Sequence, residues 1–592
     1  MTMTTARRHA GWTALLAWVG CTSAGGDDLA DVSSARDGPP AADAGPSEAG
    51  PADAAAGDAG PADAAAGDAG GSTCGAHALR DVSIPMRDGK SLAAFVRAPI
   101  DPGCELPVIL IQTPYGKENA RQLWFDSGTE PLFSSTDYAF AVVDWRGFFG
   151  STGAAVSGAQ PYGDDGFDTV EWLAAQPWSN GRVGTWGVSA LCQQQYRTAV
   201  KKPPHLAAMV PIFCDSSFRY EQYYPGGVLR REYFEFISAY FGGGIVLQHP
   251  TYDAAWQVAE RLTSPADVTV PVLVVAGWFD LYPIGSVETF TGLRSGGPPA
   301  VRELHRLLIG PWIHFAAGGE TSGSGRALDA EELTYFDSER RIQRDSLAWF
   351  DQHLRGVPSA ATAWPPVRFA RAGEGTWDSA DHWPSSGTST RTLYLAADGS
   401  LADTPPASGS VSFAYDPSDP SPTIGGATLL PRYHHGPTDQ APVLARADTR
   451  SFVSAPLSAS LRIEGPIELV LDVSTTGRDT DFAVRVTDVD STGKHLLIAE
   501  GIRRLKLRGD LATVLEVTPG ARYRVPIRTT SDLAYTFAPG HRLGVIVSSS
   551  NYARFDRNPN TGADFVPDGG TTMPVDNTVY TDGASALVVR VR

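Results

Sequence analysis

The sequence predicts an α/β domain with a parallel sheet, followed by an all-β domain of jelly-roll type. Two observations indicate this division. Between residues 80 and 355, buried-type strands alternate with helical patterns, as in a parallel sheet with helices on both faces. After about residue 365, short β-rich runs are separated by Gly, Pro, Asp and Asn turns, and almost no helical pattern occurs.

Short apolar runs mark the strands of the first domain. The run Val108–Ile111 is continuous rather than alternating, as in a strand that is covered on both faces. Helices are indicated by apolar residues at spacings of three and four. We predict strands at 80–89, 91–99, 107–116, 138–147, 181–189, 206–214, 271–280 and 305–312, and helices at 164–178, 193–200 and 338–354.

Residues 215–268 interrupt the alternation of strands and helices. The segment is helix-like and rich in aromatic residues, which include Tyr223, Tyr233 and Phe236. Because it is inserted between two strands of the sheet, we interpret it as a helical cap over a site at the edge of the sheet. The alternative is that its aromatic residues form the core of a small helical lobe, and the two interpretations are compatible.

The chain begins with features of an export signal. Arg7 and Arg8 precede the apolar stretch Ala10–Val19, and small residues follow. The tripeptide that ends at Cys21 is similar to the end of a bacterial lipobox, although Trp18 stands where leucine is usual. We interpret Cys21 as a lipidation site; the alternative is an ordinary secretory signal with an incidental cysteine. In both cases we expect export, to a lipid anchor at the bacterial cell envelope or to the medium.

Residues 22–73 are predicted to be a disordered linker. They contain mainly Ala, Asp, Gly, Pro and Ser, and the sequence GPADAAAGDA occurs twice in succession. Such a composition cannot bury enough apolar surface to offset the entropy lost on ordering. The predicted division is a signal at 1–21, a linker at 22–73, an α/β domain at 74–214 and 269–355, a cap at 215–268, and a jelly-roll domain at 356–592.

The composition excludes several classes of partner. The 592 residues carry a formal net charge of −18, whereas phosphate binding needs clustered Lys and Arg, so we expect no nucleic acid partner. No apolar run reaches the roughly 18 residues that a spanning helix requires, so we expect membrane contact only through the lipid anchor. His and Cys residues do not occur at metal-ligand spacing, and we expect no metal or cofactor. The oligomeric state is left open.

Four cysteines follow Cys21 in the chain. An even number in an exported protein permits two disulfides, with three possible connectivities. We favour the pairs Cys74–Cys104 and Cys192–Cys214. The alternative for Cys192 and Cys214 is a pair of small buried thiols.

Ser189 lies in a sequence that is typical of a nucleophilic serine. A strand-like run leads to Gly187-Val188-Ser189, and a helical pattern begins directly afterwards. In α/β-hydrolases the nucleophile occupies a tight strand-to-helix turn with the pattern G-x-S-x-G. The second glycine is missing here, because Leu191 stands in its position and Cys192 follows. Ser189 alone is therefore an incomplete match.

A serine nucleophile needs a histidine base and a carboxylate that orients the histidine. In α/β-hydrolases these residues follow in the order Ser, acid, His, each at the carboxyl end of a strand. Asp280 ends the run PVLVVAGWFD, and His314 ends the run LLIGPWIH. The sequence therefore predicts a triad of Ser189, Asp280 and His314.

Two rival residues fit the triad less well. His305 precedes its strand and would lie at the opposite edge of the sheet. Asp144 ends a strand, but it precedes Ser189 in the chain, which is the wrong order for the acid.

The tetrahedral intermediate of acyl transfer needs hydrogen-bond donors for its oxyanion. We expect the backbone N–H of Ala190, the residue after the nucleophile, to be one of them. We expect Tyr115, in the loop after the strand that begins at Pro107, to offer its hydroxyl as a second; the alternative for Tyr115 is packing.

Several further motifs occur along the chain. They are IPMRDG, TPYGK, DWRGFFGSTG, GVS, GWFD and GPWIH in the first domain, and DTDFAVRVTDV and SSSNYARFDRNPNTG in the second. In these motifs the chain resembles the cocaine esterase and X-Pro dipeptidyl-peptidase-like (CocE/NonD) hydrolases. The resemblance covers about residues 80–592. It implies an α/β-hydrolase with a helical cap insertion, and an all-β jelly-roll domain that helps to build the pocket. It also implies Ser189, Asp280 and His314 as the triad and Tyr115 as an oxyanion-hole side chain.

The chain departs at two positions from the family pattern G-x-S-Y-x-G. Ala190 replaces the tyrosine but keeps the backbone N–H that the resemblance makes an oxyanion donor. Cys192 replaces the glycine. A glycine at this position allows close packing of the turn and helix. Cys214 ends the strand expected beside Cys192, and this adjacency motivates the hypothesis of a disulfide between them.

We therefore predict a secreted serine hydrolase that cleaves acyl ester or amide bonds of small molecules or short peptides through an acyl-enzyme. An X-Pro dipeptidyl-peptidase would also need acidic groups that hold the free amine of the peptide. Glu221 and Glu235 in the cap are candidates, but solvated side chains would give the same sequence. The alternative function is that of a non-catalytic surface-binding protein that uses its jelly-roll domain.

Overall fold

The computed structural model describes residues 74–126, 131–241, 243–314, 338–429, 434–565 and 570–592. The predicted signal, the predicted lipidation site Cys21 and the predicted linker lie outside the described residues. Within the described ranges, no helix is both long and apolar enough to cross a membrane.

Ten strands form the sheet of the first domain. They are β1 (His77–Pro85), β2 (Ser91–Pro99), β3 (Leu106–Thr113), β4 (Ala139–Asp144), β5 (Ser179–Val188), β6 (Leu206–Ile212), β7 (Leu273–Gly277), β8 (Arg306–Gly310), β9 (Val367–Arg371) and β10 (Thr376–Ala380). Their order is β1-β2-β4-β3-β5-β6-β7-β8-β9-β10. The strands from β4 to β9 run parallel, while β1, β2 and β10 are antiparallel to their neighbours.

The two faces of this sheet are both buried. All eight residues of β3 are buried, and successive side chains point into different cores, with Val108 and Leu110 in one and Ile109 and Ile111 in the other. This arrangement explains the continuous apolar run in the sequence. The α-helices of the described ranges are α1 (Lys117–Ala120), α2 (Tyr162–Ala174), α3 (Ala190–Ala199), α4 (Tyr220–Tyr223), α5 (Arg231–Phe241), α6 (Gly244–Gln248), α7 (Ala254–Arg261), α8 (Pro283–Gly296), α9 (Ser338–Phe350) and α10 (Ala441–Leu444).

The sheet extends beyond residue 355, where the sequence predicted the end of the first domain. β9 pairs in parallel with β8, and β10 returns antiparallel to β9. This pairing satisfies backbone groups of β8 that would otherwise lie at an open sheet edge. The first sheet therefore includes β9 and β10 and continues to Ala380.

Helices α4 to α7 form a cap between β6 and β7. Its buried aromatic residues, which include Tyr223, Tyr233 and Trp256, pack into one cluster. Leu281 and Tyr282, which precede α8, belong to the same cluster. The aromatic residues therefore form the core of the cap and also join it to the loop after β7.

Twelve strands form the all-β domain. They are β11 (Ser389–Leu395), β12 (Ser400–Ala402), β13 (Ser410–Tyr415), β14 (Arg450–Ser454), β15 (Leu461–Thr475), β16 (Asp481–Val489), β17 (His495–Arg504), β18 (Tyr523–Arg528), β19 (Leu533–Phe537), β20 (Arg542–Ser548), β21 (Val575–Tyr580) and β22 (Ala586–Val591). The main path runs β13-β21-β15-β22-β11-β12-β14-β20-β16-β17, and β18 and β19 pair with β15. The hydroxyl of Ser531 in this domain donates to the carbonyl of Trp278 (2.7 Å), so the all-β domain contacts the loop after β7.

Candidate active site

Ser189 occupies a tight turn between β5 and α3. Its backbone has φ 59° and ψ −119°, in the region that non-glycine residues rarely adopt and that is common at functional turns. A Cβ on Gly187 would lie 2.5 Å from the Cβ of Leu191, so only glycine fits there. The Ser189 N–H donates to the carbonyl of Ile212 (2.9 Å), and the Gln193 N–H donates to the carbonyl of Ser189 (3.1 Å).

The structure also accounts for the missing second glycine. Leu191 is only 3% exposed and packs over Gly187, so its side chain belongs to the buried core beside the turn. Cys192 is disulfide-bonded to Cys214, with 6.1 Å between the Cα atoms. A second disulfide joins Cys74 to Cys104, with 5.5 Å between the Cα atoms. Both spacings lie in the ordinary range for disulfides.

Asp280 and His314 contact each other directly. His314 Nδ1 lies 2.6 Å from Asp280 Oδ1, and both side chains are buried. The other carboxylate oxygen of Asp280 accepts the backbone N–H of Tyr282 (3.0 Å). The acid is therefore fixed on both sides, with one oxygen aimed at the imidazole.

The loops after β7 and β8 are joined by backbone hydrogen bonds. Trp278 N–H donates to the carbonyl of Gly310 (2.9 Å), and Phe279 N–H donates to the carbonyl of Trp312 (3.0 Å). A Cβ on Gly277 would lie 2.4 Å from that Trp312 carbonyl oxygen, so glycine permits this approach. These contacts place Asp280 opposite His314.

Phe213 connects the two halves of the predicted triad. The preceding residue, Ile212, accepts the Ser189 N–H, while the Phe213 ring lies 6.3 Å from the His314 ring. No hydrogen bond joins the Ser189 hydroxyl to His314 within the described part of the chain. Catalytic hydrogen bonds commonly tighten only when substrate is bound.

The two predicted oxyanion donors lie in different environments. Ala190 is the first residue of α3, so its N–H has no intrahelical partner. Tyr115 is half-buried; its N–H donates to Thr113 Oγ1 (2.9 Å), and its carbonyl accepts the Asn119 amide (2.7 Å). These bonds fix the backbone of the loop that carries the Tyr115 hydroxyl.

The rival residues have other surroundings. The carboxylate of Asp144 accepts the backbone N–H of Lys117 (2.6 Å) and of Gly150 (3.0 Å), and burial raises its pKa to about 6. It therefore fixes two loops, one of which follows Tyr115. His305 is fully buried directly before β8, whereas His314 follows the other end of that strand, and burial lowers the pKa of His305 to about 4.

The cap acids proposed from the sequence are exposed. The Glu221 side chain is 55% exposed and lies 3.8 Å from Arg219, and the Glu235 side chain is 42% exposed and pairs with Arg231 at 2.8 Å. Neither is a buried acceptor for an amine. In the described ranges, no group of three or more His, Cys, Asp or Glu residues is arranged to hold a metal ion.

Sequence reasoning missed Asp215, which follows β6 and is 5% exposed. Its Oδ1 has no hydrogen-bond partner among the described residues, and the same is true of Oε1 of the buried Gln222. Both side chains line a cavity of about 80 Å³ together with Tyr282, whose ring lies 5.7 Å from that of His314. The signal for Asp215 was its place beside Ser189, after the carboxyl end of a neighbouring parallel strand.

Asp215 should make stability depend on pH. Burial raises its pKa to about 7, whereas an unfolded aspartate titrates near ~3.9. The folded state therefore keeps a proton that the unfolded state loses, and the free energy of unfolding falls as pH rises from about 4 through 7. Relative to Asp215→Asn, we expect the wild type to lose at most about 4 kcal/mol across this window, measured by urea unfolding. Parallel curves for the two proteins would contradict the assignment.

Comparisons with known proteins identify the family. The X-Pro dipeptidyl-peptidase (S15 family) model matches residues 88–242 and 243–316, and the X-Pro dipeptidyl-peptidase C-terminal non-catalytic domain model matches residues 359–589. The chain is 30% identical over 548 residues to the cocaine esterase of Rhodococcus sp. (strain MB1 Bresler), covering 81% of this chain and 92% of that protein. The chain belongs to the cocaine esterase and S15 X-Pro dipeptidyl-peptidase family of serine hydrolases.

Solved structures agree on the fold of this family. An aminopeptidase from a marine sediment archaeon, Thaumarchaeota archaeon, matches with a TM-score of 0.76 and 23% identity, over 88% of this chain and 97% of that one. An α-amino acid ester hydrolase matches with a TM-score of 0.75 and 24% identity, over the same shares. The predicted family resemblance, the α/β-hydrolase fold with an all-β second domain, and the serine hydrolase class are confirmed.

Proposed function

We propose that this serine hydrolase cleaves ester or amide bonds through an acyl-enzyme on Ser189. The 2.6 Å contact between His314 Nδ1 and Asp280 Oδ1 carries the proposal. With its Nδ1–H donated to the carboxylate, His314 presents the lone pair of Nε2 as a base. Ser189 Oγ attacks the carbonyl carbon and loses its proton to Nε2, and His314⁺ then protonates the leaving group. Water repeats the two steps and releases the acid.

Fluorophosphonate labelling tests the proposal. The reagent phosphonylates an activated serine hydroxyl and releases fluoride. We expect mass spectrometry of a digest to find the label on the peptide that contains Ser189. A folded protein that takes up no label, or takes it up on another serine, would contradict the mechanism.

Tyr115 is proposed to donate its hydroxyl to the oxyanion, beside the Ala190 N–H. Tyr115→Phe removes one donor and keeps the ring, so kcat should fall about 10²-fold, as when one oxyanion-hole donor is removed. KM should change little, because the donor acts on charge that develops in the transition state. An unchanged kcat would mean that the Tyr115 side chain serves only in packing.

A second, narrower proposal concerns the acyl group. Among the described residues, Asp215 Oδ1 and Gln222 Oε1 have no hydrogen-bond partner, and buried acceptors of this kind suit an ammonium group. Their cavity is also lined by Tyr282, which packs beside His314. Its charged lining consists of Asp215 and Glu221 and of three arginines, Arg219, Arg230 and Arg528. We infer that the preferred substrates carry a free amine near the scissile carbonyl, as aminoacyl esters and X-Pro peptides do.

Amino and N-acetyl forms of the same substrates test the narrower proposal. Wild type should prefer the free amine, and Asp215→Asn should lower kcat/KM for it about 10–100-fold, because a hydrogen bond to a charged group is worth about 1.5–3 kcal/mol. The N-acetyl form should be hydrolysed equally by both proteins. Glu235→Gln serves as the control, since Glu235 is exposed and is not among the described residues that line this cavity, and should change neither rate. A wild-type preference for N-acetyl substrates would contradict the proposal of a free amine.

We also propose that the chain is exported and lipidated at Cys21. The two disulfides support export, because disulfides form and persist in oxidising compartments. Metabolic labelling with a fatty-acid analogue should mark the wild type and not Cys21→Ala. Export of an unlabelled wild type would favour the ordinary secretory signal.

A further inference from the structure

The Cys192–Cys214 disulfide joins the nucleophile helix to the neighbouring strand. Cys192 is the third residue of α3 and lies three positions after Ser189. Cys214 lies two positions after the end of β6 at Ile212. The two residues are 1% and 2% exposed, so the bond is sealed inside the domain.

The backbone turn at Ser189 depends on contacts with neighbouring elements. Its positive φ persists only while surrounding contacts hold it. The Ser189 side chain does not cap α3, and the side-chain bond from Gln195 to the Val210 carbonyl (3.1 Å) lies one turn later. Among the described residues, the first turn is also joined to β6 by the bond from the Ser189 N–H to the Ile212 carbonyl and by the packing of Leu191. The disulfide adds a covalent side-chain link to the segment that follows β6.

The segment that carries Cys214 is bonded to the acid side of the site as well. The Cys214 carbonyl accepts a hydrogen bond from the Ser286 hydroxyl (3.0 Å), and the Ser216 N–H donates to Thr289 Oγ1 (3.2 Å). Ser286 and Thr289 belong to α8, which begins three residues after Asp280. The disulfide therefore ties the Ser189 turn to the helix that follows Asp280.

We infer that this disulfide positions the Ser189 hydroxyl and the Ala190 N–H, and that full activity requires the oxidised bond. The inference rests on the proposed acyl-enzyme mechanism. Reduction by a dithiol breaks the S–S bond, leaves thiols at Cys192 and Cys214, and oxidises the dithiol to its cyclic disulfide. Neither sulfur lies at the reacting atoms, so both cysteines are positioning residues. A misplacement of about 1 Å at such a site costs about 10²-fold in rate.

The second disulfide supplies a matched control. The sequence separations are 22 for Cys192–Cys214 and 30 for Cys74–Cys104, so loss of either bond relaxes the unfolded chain to a similar degree. We expect C192A/C214A to lose about 10–100-fold in kcat with KM within about twofold of wild type. C74A/C104A should show a comparable fall in Tm and keep the wild-type kcat. Equal kcat in wild type and C192A/C214A would overturn the inference, as would an equal loss of kcat in both double variants.

Two further measurements keep the inference testable. C192G/C214A places the glycine of the family pattern beside the turn, and we expect it to recover part of the lost kcat. If C192A/C214A does not fold, graded reduction of C74A/C104A replaces it, with alkylation and mass spectrometry of each assayed sample. Activity should fall as thiols appear at Cys192 and Cys214, whereas full activity of the reduced protein would overturn the inference. Fluorophosphonate labelling of the wild type distinguishes failure of the acyl-enzyme mechanism from failure of the disulfide inference. An unlabelled wild type would contradict the mechanism itself.

Discussion

Ser189→Ala is expected to lower kcat by about 10⁵–10⁶-fold, because no other group can form the acyl-enzyme once the hydroxyl is lost. KM should stay within a few-fold of wild type, since the turn at residue 189 is held by backbone hydrogen bonds that alanine retains. The fold should survive for the same reason. The measurement is steady-state hydrolysis of a chromogenic ester, with circular dichroism to compare the folded proteins.

Ser157→Ala is the control for this variant. Ser157 is exposed and lies in the loop after β4, so its loss should leave kcat unchanged. A Ser189→Ala protein with a tenth or more of wild-type activity would mean that another residue is the nucleophile, and the proposed triad would have to be abandoned.

The order of the motifs was the strongest information in the sequence. Ser189, Asp280 and His314 each follow a short apolar run, and runs of that kind form the parallel strands β5, β7 and β8. Because parallel strands end at the same edge of a sheet, chain order and strand placement together predicted that these three residues meet there. The fold class followed from the same alternation of strands and helices.

Asp215 shows where sequence reasoning stops. It stands one residue after Cys214 in a segment without a known motif, and its significance lies in burial and in an unpartnered oxygen. Both properties depend on how α8 and the cap pack over the segment, which no local pattern encodes. Glu221 and Glu235 were the visible acids, but they face solvent beside arginines.

The pairing of β9 and β10 with the first sheet could not be predicted for a related reason. The runs that became β9 and β10 have ordinary β composition, and the choice of partner decides their domain. β9 could extend the sheet because the edge of β8 was open, and hydrogen bonding to that edge fixes its place. Partner choice between distant strands is a tertiary property, so the change of composition near residue 365 did not predict that β9 and β10 join the first sheet.

Asp280→Asn should lower kcat by about 10⁴-fold, the cost of the wrong imidazole tautomer in a Ser-His-Asp triad. Asp280 Oδ2 accepts the Tyr282 N–H, so an asparagine would keep its carbonyl oxygen on that side and turn its NH₂ toward His314 Nδ1. Nδ1 would then have to accept a hydrogen bond, and Nε2 would carry the proton. A protonated Nε2 cannot take the proton of Ser189, although substrate would still bind. Steady-state kinetics should therefore show a loss in kcat with little change in KM.

A second His–Asp pair provides the matched control for this variant. In the all-β domain, His541 Nδ1 lies 2.9 Å from Oδ1 of the buried Asp488, which also accepts the Tyr535 hydroxyl (2.9 Å). Asp488→Asn disturbs a similar set of hydrogen bonds, so it should lower the free energy of unfolding by about 1–3 kcal/mol and leave kcat unchanged. If Asp280→Asn and Asp488→Asn reduce kcat equally, the effect is one of stability and not of the His314 tautomer. A loss confined to Asp280→Asn assigns the orienting carboxylate to the loop after β7.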